Sequence, residues 1–187
     1  MMQKRVVAIH DISCFGKCSL TVALPIISAA GIETAVIPTA VLSTHTGGFK
    51  NYTVRDLSED IVPIARHWKS ESIIADAVYT GYLCSKEQIY LAMEAARLIS
   101  RKDTVIITDP VMADNGRLYS GFTPDYPDFM LKLCAAADII TPNITEAALM
   151  LGVKYREGPY DSDYINALLE GLFVKTHSKI VLTGVCF

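Results

Sequence analysis

Apolar residues fall along this chain in short runs and helically spaced sets that alternate almost to its last residue. Arg5 to Ile9, with a Val-Val-Ala-Ile core, predicts a first buried strand, followed by a polar loop from His10 to Gly16. A helix is predicted from about Lys17 to Ala30, stopped by Gly31 and kinked or started late by Pro25. Ile32 to Leu42 is β-branched and apolar, a second strand that runs into the flexible polar loop Ser43 to Phe49. Asp56 to Trp68 has helical spacing, with Pro63 tolerated near its first turns. Ile73 to Tyr79 is strand-like and ends at Thr80-Gly-Tyr82. Ser85-Lys-Glu-Gln88 has the form of a capping box and predicts a helix to about Ser100.

The second half repeats the design. Val105 to Thr108 reads as a strand buried on both faces, and Asp109-Pro110 stops it because proline cannot donate to a ladder. Thr123-Pro124 predicts an N-cap and first helical residue for a helix to about Ala137. Asp138 to Thr141 is a strand, and Pro142-Asn143 leads into a short helix that Gly152 ends. Asp161 to Lys175 is amphipathic, and Lys179 to Thr183 is a last strand. Strands alternating with helices, without repeat or linker, specify one α/β domain over residues 1–187. Its expected architecture is a mostly parallel sheet with helices on both faces, in three layers.

Composition narrows the function classes. The chain has 187 residues, 51% hydrophobic, with a net charge of −3 and no basic run, which argues against a nucleic-acid partner. Residues 1–10 lack the apolar core of a signal peptide, and no apolar run approaches the ~18 residues of a membrane span. A cytoplasmic location without membrane attachment is expected. Five cysteines at irregular spacings (Cys14, Cys18, Cys84, Cys134, Cys186) complete no zinc set and are expected to be reduced and mostly buried.

No G-x-G-x-x-G or Walker A motif occurs, so neither a dinucleotide fold nor a P-loop is indicated. The predicted strand ends instead concentrate Asp11, Asp109, Asp114, Asn115, Asn143 and Glu146 along one crevice. Hard oxygen ligands of this kind suit Mg²⁺ kept with its waters and with substrate phosphates. Asn143 and Glu146, three apart at a helix start, can face one point, although they could equally serve only their own helix end.

Thr80-Gly-Tyr-Leu83, Asp109-Pro-Val-Met112 and Thr141-Pro-Asn-Ile-Thr-Glu146, in this order, resemble the successive motifs of the pyridoxal/pyridoxamine kinases of the ribokinase-like superfamily. Ser43-Thr-His-Thr-Gly47 resembles that family's substrate loop, and the similarity runs over essentially the whole chain. The resemblance implies ATP-dependent phosphorylation of the 5′-hydroxymethyl group of pyridoxal or pyridoxamine, with hydroxymethylpyrimidine kinase as the alternative within the class. A non-catalytic vitamer- or nucleotide-binding fragment is the alternative from another class. By resemblance Asp11, Ser13, His45, Thr46 and Tyr82 line the vitamer pocket, and Asp109, Asp114, Asn143, Glu146 and Thr183 serve ATP. Asp109 and Glu146 would organise Mg²⁺, and a monovalent cation and a homodimer also belong to the family's pattern.

Asp11 stands where many members have serine, which leaves the exact vitamer open, and Ala113 stands where glycine is frequent, a minor change. A third departure is larger. The family's base lies in a Gly-x-Gly-Asp turn whose amides form the anion hole, and none of the eleven glycines here precedes an aspartate. The resemblance therefore implies an N-terminal portion of the domain, incomplete for catalysis, with no catalytic base among these residues.

Overall fold

The structure, a computed structural model, describes residues 3–186. Its main sheet has seven strands: β1 (Arg5–Ser13), β2 (Glu33–Leu42), β3 (Val54–Asp56), β4 (Ala77–Thr80), β5 (Val105–Thr108), β8 (Ile139–Ile140) and β9 (Lys179–Ile180). Their order is β3-β2-β1-β4-β5-β8-β9, and the register is parallel for β1 with β2 and β4, and for β8 with β5 and β9. Only β3, at one edge, is antiparallel to its neighbour β2 among these registers. A mostly parallel α/β sheet is what the alternating pattern dictates, since parallel strands need a crossover element between them. Two compact units divide the chain, residues 1–106 and 107–187.

In the first unit the core is built from Val7, Ala8 and Ile9 of β1, Ile37 and Ala40 of β2, and Val78 of β4, all fully buried. Helices α1 (Leu20–Ala29), α2 (Ser58–Ser70) and α3 (Lys86–Ile99) supply the covering apolar faces, with α2 and α3 packed on each other. Ile61 and Ala65 of α2 and Ile89, Ala92, Ala95 and Ile99 of α3 recur at three- and four-residue spacing and are wholly removed from water. At roughly 25 cal/mol per Å² of apolar surface, each such isoleucine contributes about 2–3 kcal/mol before conformational entropy is charged.

The second unit stacks α4 (Tyr126–Ala135), α5 (Ile144–Leu151) and α6 (Ser162–Thr176) against one another through Met130, Leu133, Ala147, Ala148, Leu168 and Leu172. Gly152 takes the left-handed conformation (φ 68°) that ends α5, as its position after the helix foretells.

Several boundaries differ from the sequence pattern, each for a tertiary reason. β1 does not stop at Ile9; it continues through Ser13 because β2 pairs with it as far as Leu42, across a register shift between His10 and Ile12. Helix α1 starts late, at Leu20, and contains Pro25. Asp56 closes β3 rather than opening a helix, and its Oδ1 accepts the Ser58 amide at 2.7 Å at the head of α2. Ser85 caps α3 as expected, but Gln88 reaches the amide of Cys84 rather than that of Ser85, so only half of a capping box forms. The Thr123 carbonyl accepts the Tyr126 amide, and Asp125 rather than Thr123 stands as N-cap of α4. β9 covers only Lys179–Ile180, with one further bridge from Thr183 to Asn143. The cysteines are free thiols, but only Cys134 is buried; Cys14 and Cys186 are exposed.

Candidate functional site

The first unit places a polar cluster at the carboxyl ends of β1, β2 and β4. The extension of β1 carries Asp11 and Ser13 into the sheet, where both are buried. Asp11 accepts a hydrogen bond from Ser13 Oγ at 3.1 Å through Oδ2, while its Oδ1 is buried with no protein partner. Burial pushes the Asp11 carboxyl above the usual carboxylate range, and hydrogen bonds from the Ser19 and Ser13 hydroxyls hold it back. Ser19 precedes α1 with φ 48°, and its side chain makes no capping bond to the helix end. Tyr82, two residues past β4, is kept protonated by burial and then by the charges of Cys84, Tyr52 and Asp11, so Asp11 and Tyr82 share one electrostatic neighbourhood.

His45 and Thr46 lie half-buried in the loop after β2. The His45 amide donates to the Phe15 carbonyl at 3.3 Å, its Nδ1 accepts from the Gly47 amide at 3.2 Å, and its ring meets Phe49 edge-on. Gly16 (φ 118°) lets the chain run flush against that ring; a Cβ there would come 2.6 Å from His45 Cδ2. The two loops after β1 and β2 are thus latched together.

His10 and Thr44 were not singled out by sequence reasoning. Neither ring nitrogen of His10 nor the Thr44 hydroxyl has a protein partner, although all three are buried. Residue type carries no sign of this; only the strand extension and the loop path do. Burial depresses the His10 pKa to about 4. A folded-state pKa below the unfolded value of 6.5 means stability that is present above 6.5 and lost as pH falls through 4. The chain is therefore expected to lose about 2 kcal/mol between pH 8 and pH 5 on this account. Urea melts of wild type and His10→Phe check it: the variant should lack that acid-side slope.

The second unit builds another polar cluster, at the ends of β5 and β8. Asn143 and Glu146 form a reciprocal capping box at the start of α5: Asn143 Oδ1 accepts the Glu146 amide and Glu146 Oε2 accepts the Asn143 amide, each at 2.9 Å. Both residues do more than cap. Glu146 Oε1 accepts the Met112 amide at 3.1 Å, and Asn143 Nδ2 donates to the Ala113 carbonyl at 2.9 Å. These bonds dock β6 (Ala113–Asp114) of the small hairpin with β7 (Arg117–Leu118), which the periodicity did not foretell. Its turn is Asn115-Gly116, with φ 50° and 75°, the positive angles an Asn-Gly hairpin turn demands. Asp114 is exposed there and accepts from the Asn115 amide at 2.8 Å. Thr183 Oγ1 donates to the Pro142 carbonyl at 3.3 Å, next to Asn143.

Glu146 is only 3% exposed, and its pKa rises to about 8, first through burial and further through the charge of Asp109, against the two amides that favour its anion. Tyr119 is raised by burial and by Glu146, Asp114 and Asp109, which places the three acids in one neighbourhood. Among the described residues no three His, Cys, Asp or Glu side chains gather as an all-protein metal cage. Two mutually repelling carboxylates, one of them with both oxygens already bonded to amides, instead suit Mg²⁺ held partly through its waters.

The phosphomethylpyrimidine kinase family matches residues 23–185. The chain belongs to that family. Among curated proteins, one from Schizosaccharomyces pombe, provisionally named a pyridoxal kinase, is 30% identical over 157 residues, 81% of this chain and 49% of the relative. A Bacteroides thetaiotaomicron structure, provisionally named a phosphomethylpyrimidine kinase and solved in a form with pyridoxal, is 35% identical with a TM-score of 0.91. It covers 99% of this chain and 64% of its own. The pyridoxal kinase of Lactobacillus plantarum is 32% identical with a TM-score of 0.81, over all of this chain and 62% of its own. This phosphomethylpyrimidine kinase family member thus spans about half the length of its curated relative and under two thirds of the solved structures.

Proposed function

We propose that this family member takes part in ATP-dependent phosphorylation of the 5′-hydroxymethyl group of pyridoxal or pyridoxamine. The observation that carries the reading is the likeness, at 35% identity over nearly the whole chain, to a protein crystallised with pyridoxal. The chemistry of the first cluster agrees with it. A buried carboxylate oxygen without a partner calls for a donor from a ligand, and a phenol held protonated supplies a donor of its own. In this reading Asp11, Ser13, His45, Thr46 and Tyr82 bind the vitamer and orient its hydroxymethyl arm. Asp109, Asp114, Asn143, Glu146 and Thr183 serve the nucleotide, with Asp109 and Glu146 holding Mg²⁺ partly through water. The cation, when bound, neutralises charge on the phosphates; the protein's part is positioning. The same reading takes residues 1–187 as one domain, from the unbroken alternation of strands and helices, and places it in the cytoplasm on its composition; the homodimer is supplied by the family resemblance. Among the described residues no helix is long and apolar enough to cross a membrane.

A second reading, a kinase of the hydroxymethylpyrimidine alcohol, is favoured by the family's name and by the name of the Bacteroides thetaiotaomicron structure. Calorimetric titration with pyridoxal and with 4-amino-5-hydroxymethyl-2-methylpyrimidine, followed by chromatography after addition of ATP and Mg²⁺, separates the two. Pyridoxal is expected to bind at least about tenfold tighter, a difference of about 1.4 kcal/mol. Preference for the pyrimidine would overturn the vitamer assignment, and binding of neither would remove the kinase reading.

A further inference from the structure

Gln88, on the first turn of α3, has no exposed surface, and both polar atoms of its side chain are engaged. Its Oε1 accepts the Cys84 amide at 3.0 Å. Its Nε2 donates to the Thr39 carbonyl at 2.8 Å, and lies 3.1 Å from both Asp56 Oδ1 and Ser58 Oγ. A methionine would fill similar volume without needing any of these partners. What the amide adds is a fixed geometry among three segments of the first unit. One is the loop after β4, where Cys84 stands two residues past Tyr82. Another is β2, where Thr39 lies upstream of the loop with His45 and Thr46 and makes a long 3.5 Å contact from Oγ1 to the Tyr82 carbonyl. The third is the junction of β3 and α2, where Asp56 also accepts from Cys84 Sγ. The loop that bears Tyr82 has this one amide as a shared fastening to both neighbours.

We propose that Gln88 is a positioning residue for the vitamer pocket, holding the Tyr82 loop against the strand that leads to His45 and Thr46. The proposal rests on the vitamer reading above. Its polar atoms are spent on protein partners, so it acts through Tyr82 and not on the substrate.

Gln88→Met keeps the volume and removes the bonds. On the full chain, pyridoxal and ATP are titrated separately by calorimetry, and amide hydrogen exchange is followed over residues 82–84. Loss of a bond worth about 1.4 kcal/mol should weaken pyridoxal binding about tenfold, and exchange at the Cys84 amide should quicken by a similar factor. ATP affinity should stay within about twofold, since the acids assigned to it lie in the other unit. If Gln88→Met does not fold, Gln88→Glu carries the test: its carboxylate can still accept the Cys84 amide but cannot donate to the Thr39 carbonyl, and pyridoxal binding should weaken about threefold. Unchanged pyridoxal affinity in a folded variant would overturn the proposal. So would equal losses for pyridoxal and ATP, which mark a merely structural role. Wild-type chain that binds no pyridoxal sinks the vitamer reading itself, and that result is seen before any substitution is made.

Discussion

Replacing Gly81 by alanine is expected to destabilise the fold by about 3 kcal/mol, the upper end of the usual cost of overpacking. The backbone at Gly81 is outside the left-handed range, so the penalty is steric and not conformational. An added Cβ would overlap the His10 ring, lying within contact of Cε1 and Nδ1 and 3.0 Å from Nε2. The ring has nowhere to go: His10 is 3% exposed and is packed against Tyr79 with ring centres 4.5 Å apart. Because Gly81 lies between Thr80 and Tyr82, relief by backbone movement would shift the Tyr82 loop as well. Urea denaturation of Gly81→Ala, His10→Ala and the double variant tests the argument as a cycle. His10→Ala alone should cost about 2 kcal/mol for the cavity it leaves. The double variant should then be more stable than the sum of the two losses predicts by about 1–2 kcal/mol, because the new methyl enters that cavity. Strict additivity would show that the ring and the glycine do not press on each other.

How far the chain could be read without its fold divides along this same line. Among the described residues the alternation of runs and helical sets located every parallel strand and all six helices, because burial periodicity is local information. It misplaced the ends where partners far along the chain decide. β1 runs to Ser13 only because β2 pairs beside it, and Asp56 closes a three-residue strand because β2 offers it an edge. The hairpin at Asn115-Gly116 had a readable turn signal, but strands of two residues are too short to show a period. Candidate residues were legible where a strand end and a polar side chain coincide, as at Asp11, Asp109 and Asn143. The orphaned nitrogens of His10, the Thr44 hydroxyl and the bonding of Gln88 were not, since each depends on neighbours distant in sequence.

Removing the Glu146 carboxylate should change stability in a direction that depends on pH. The side chain accepts the amides of Met112 and Asn143 inside the second unit, so Glu146→Ala leaves two buried N–H groups unpaired and breaks the capping box of α5. Those losses sum to about 3 kcal/mol at acid pH. Against them stands the cost of ionising a buried acid beside Asp109. With the folded pKa at about 8 and the unfolded value at 4.5, the folded state holds a proton that the unfolded state has released between these values. The carboxyl's contribution is therefore fully present below 4.5 and is lost as pH rises through 8, on the order of 5 kcal/mol in all. Glu146→Ala carries no such slope. Wild type should accordingly be the more stable by about 2 kcal/mol at pH 5, and the variant the more stable by about 1 kcal/mol at pH 8. Taking the difference cancels the opposing acid-side slope of His10, which both proteins share. If Mg²⁺ is held near Asp109 and Glu146, adding it at pH 8 should raise the urea midpoint of wild type and leave the variant unmoved, since a bound cation stabilises only the state that holds it. Parallel stability curves from pH 5 to pH 8 would mean that Glu146 is ionised throughout, its charge already balanced by the amides around it.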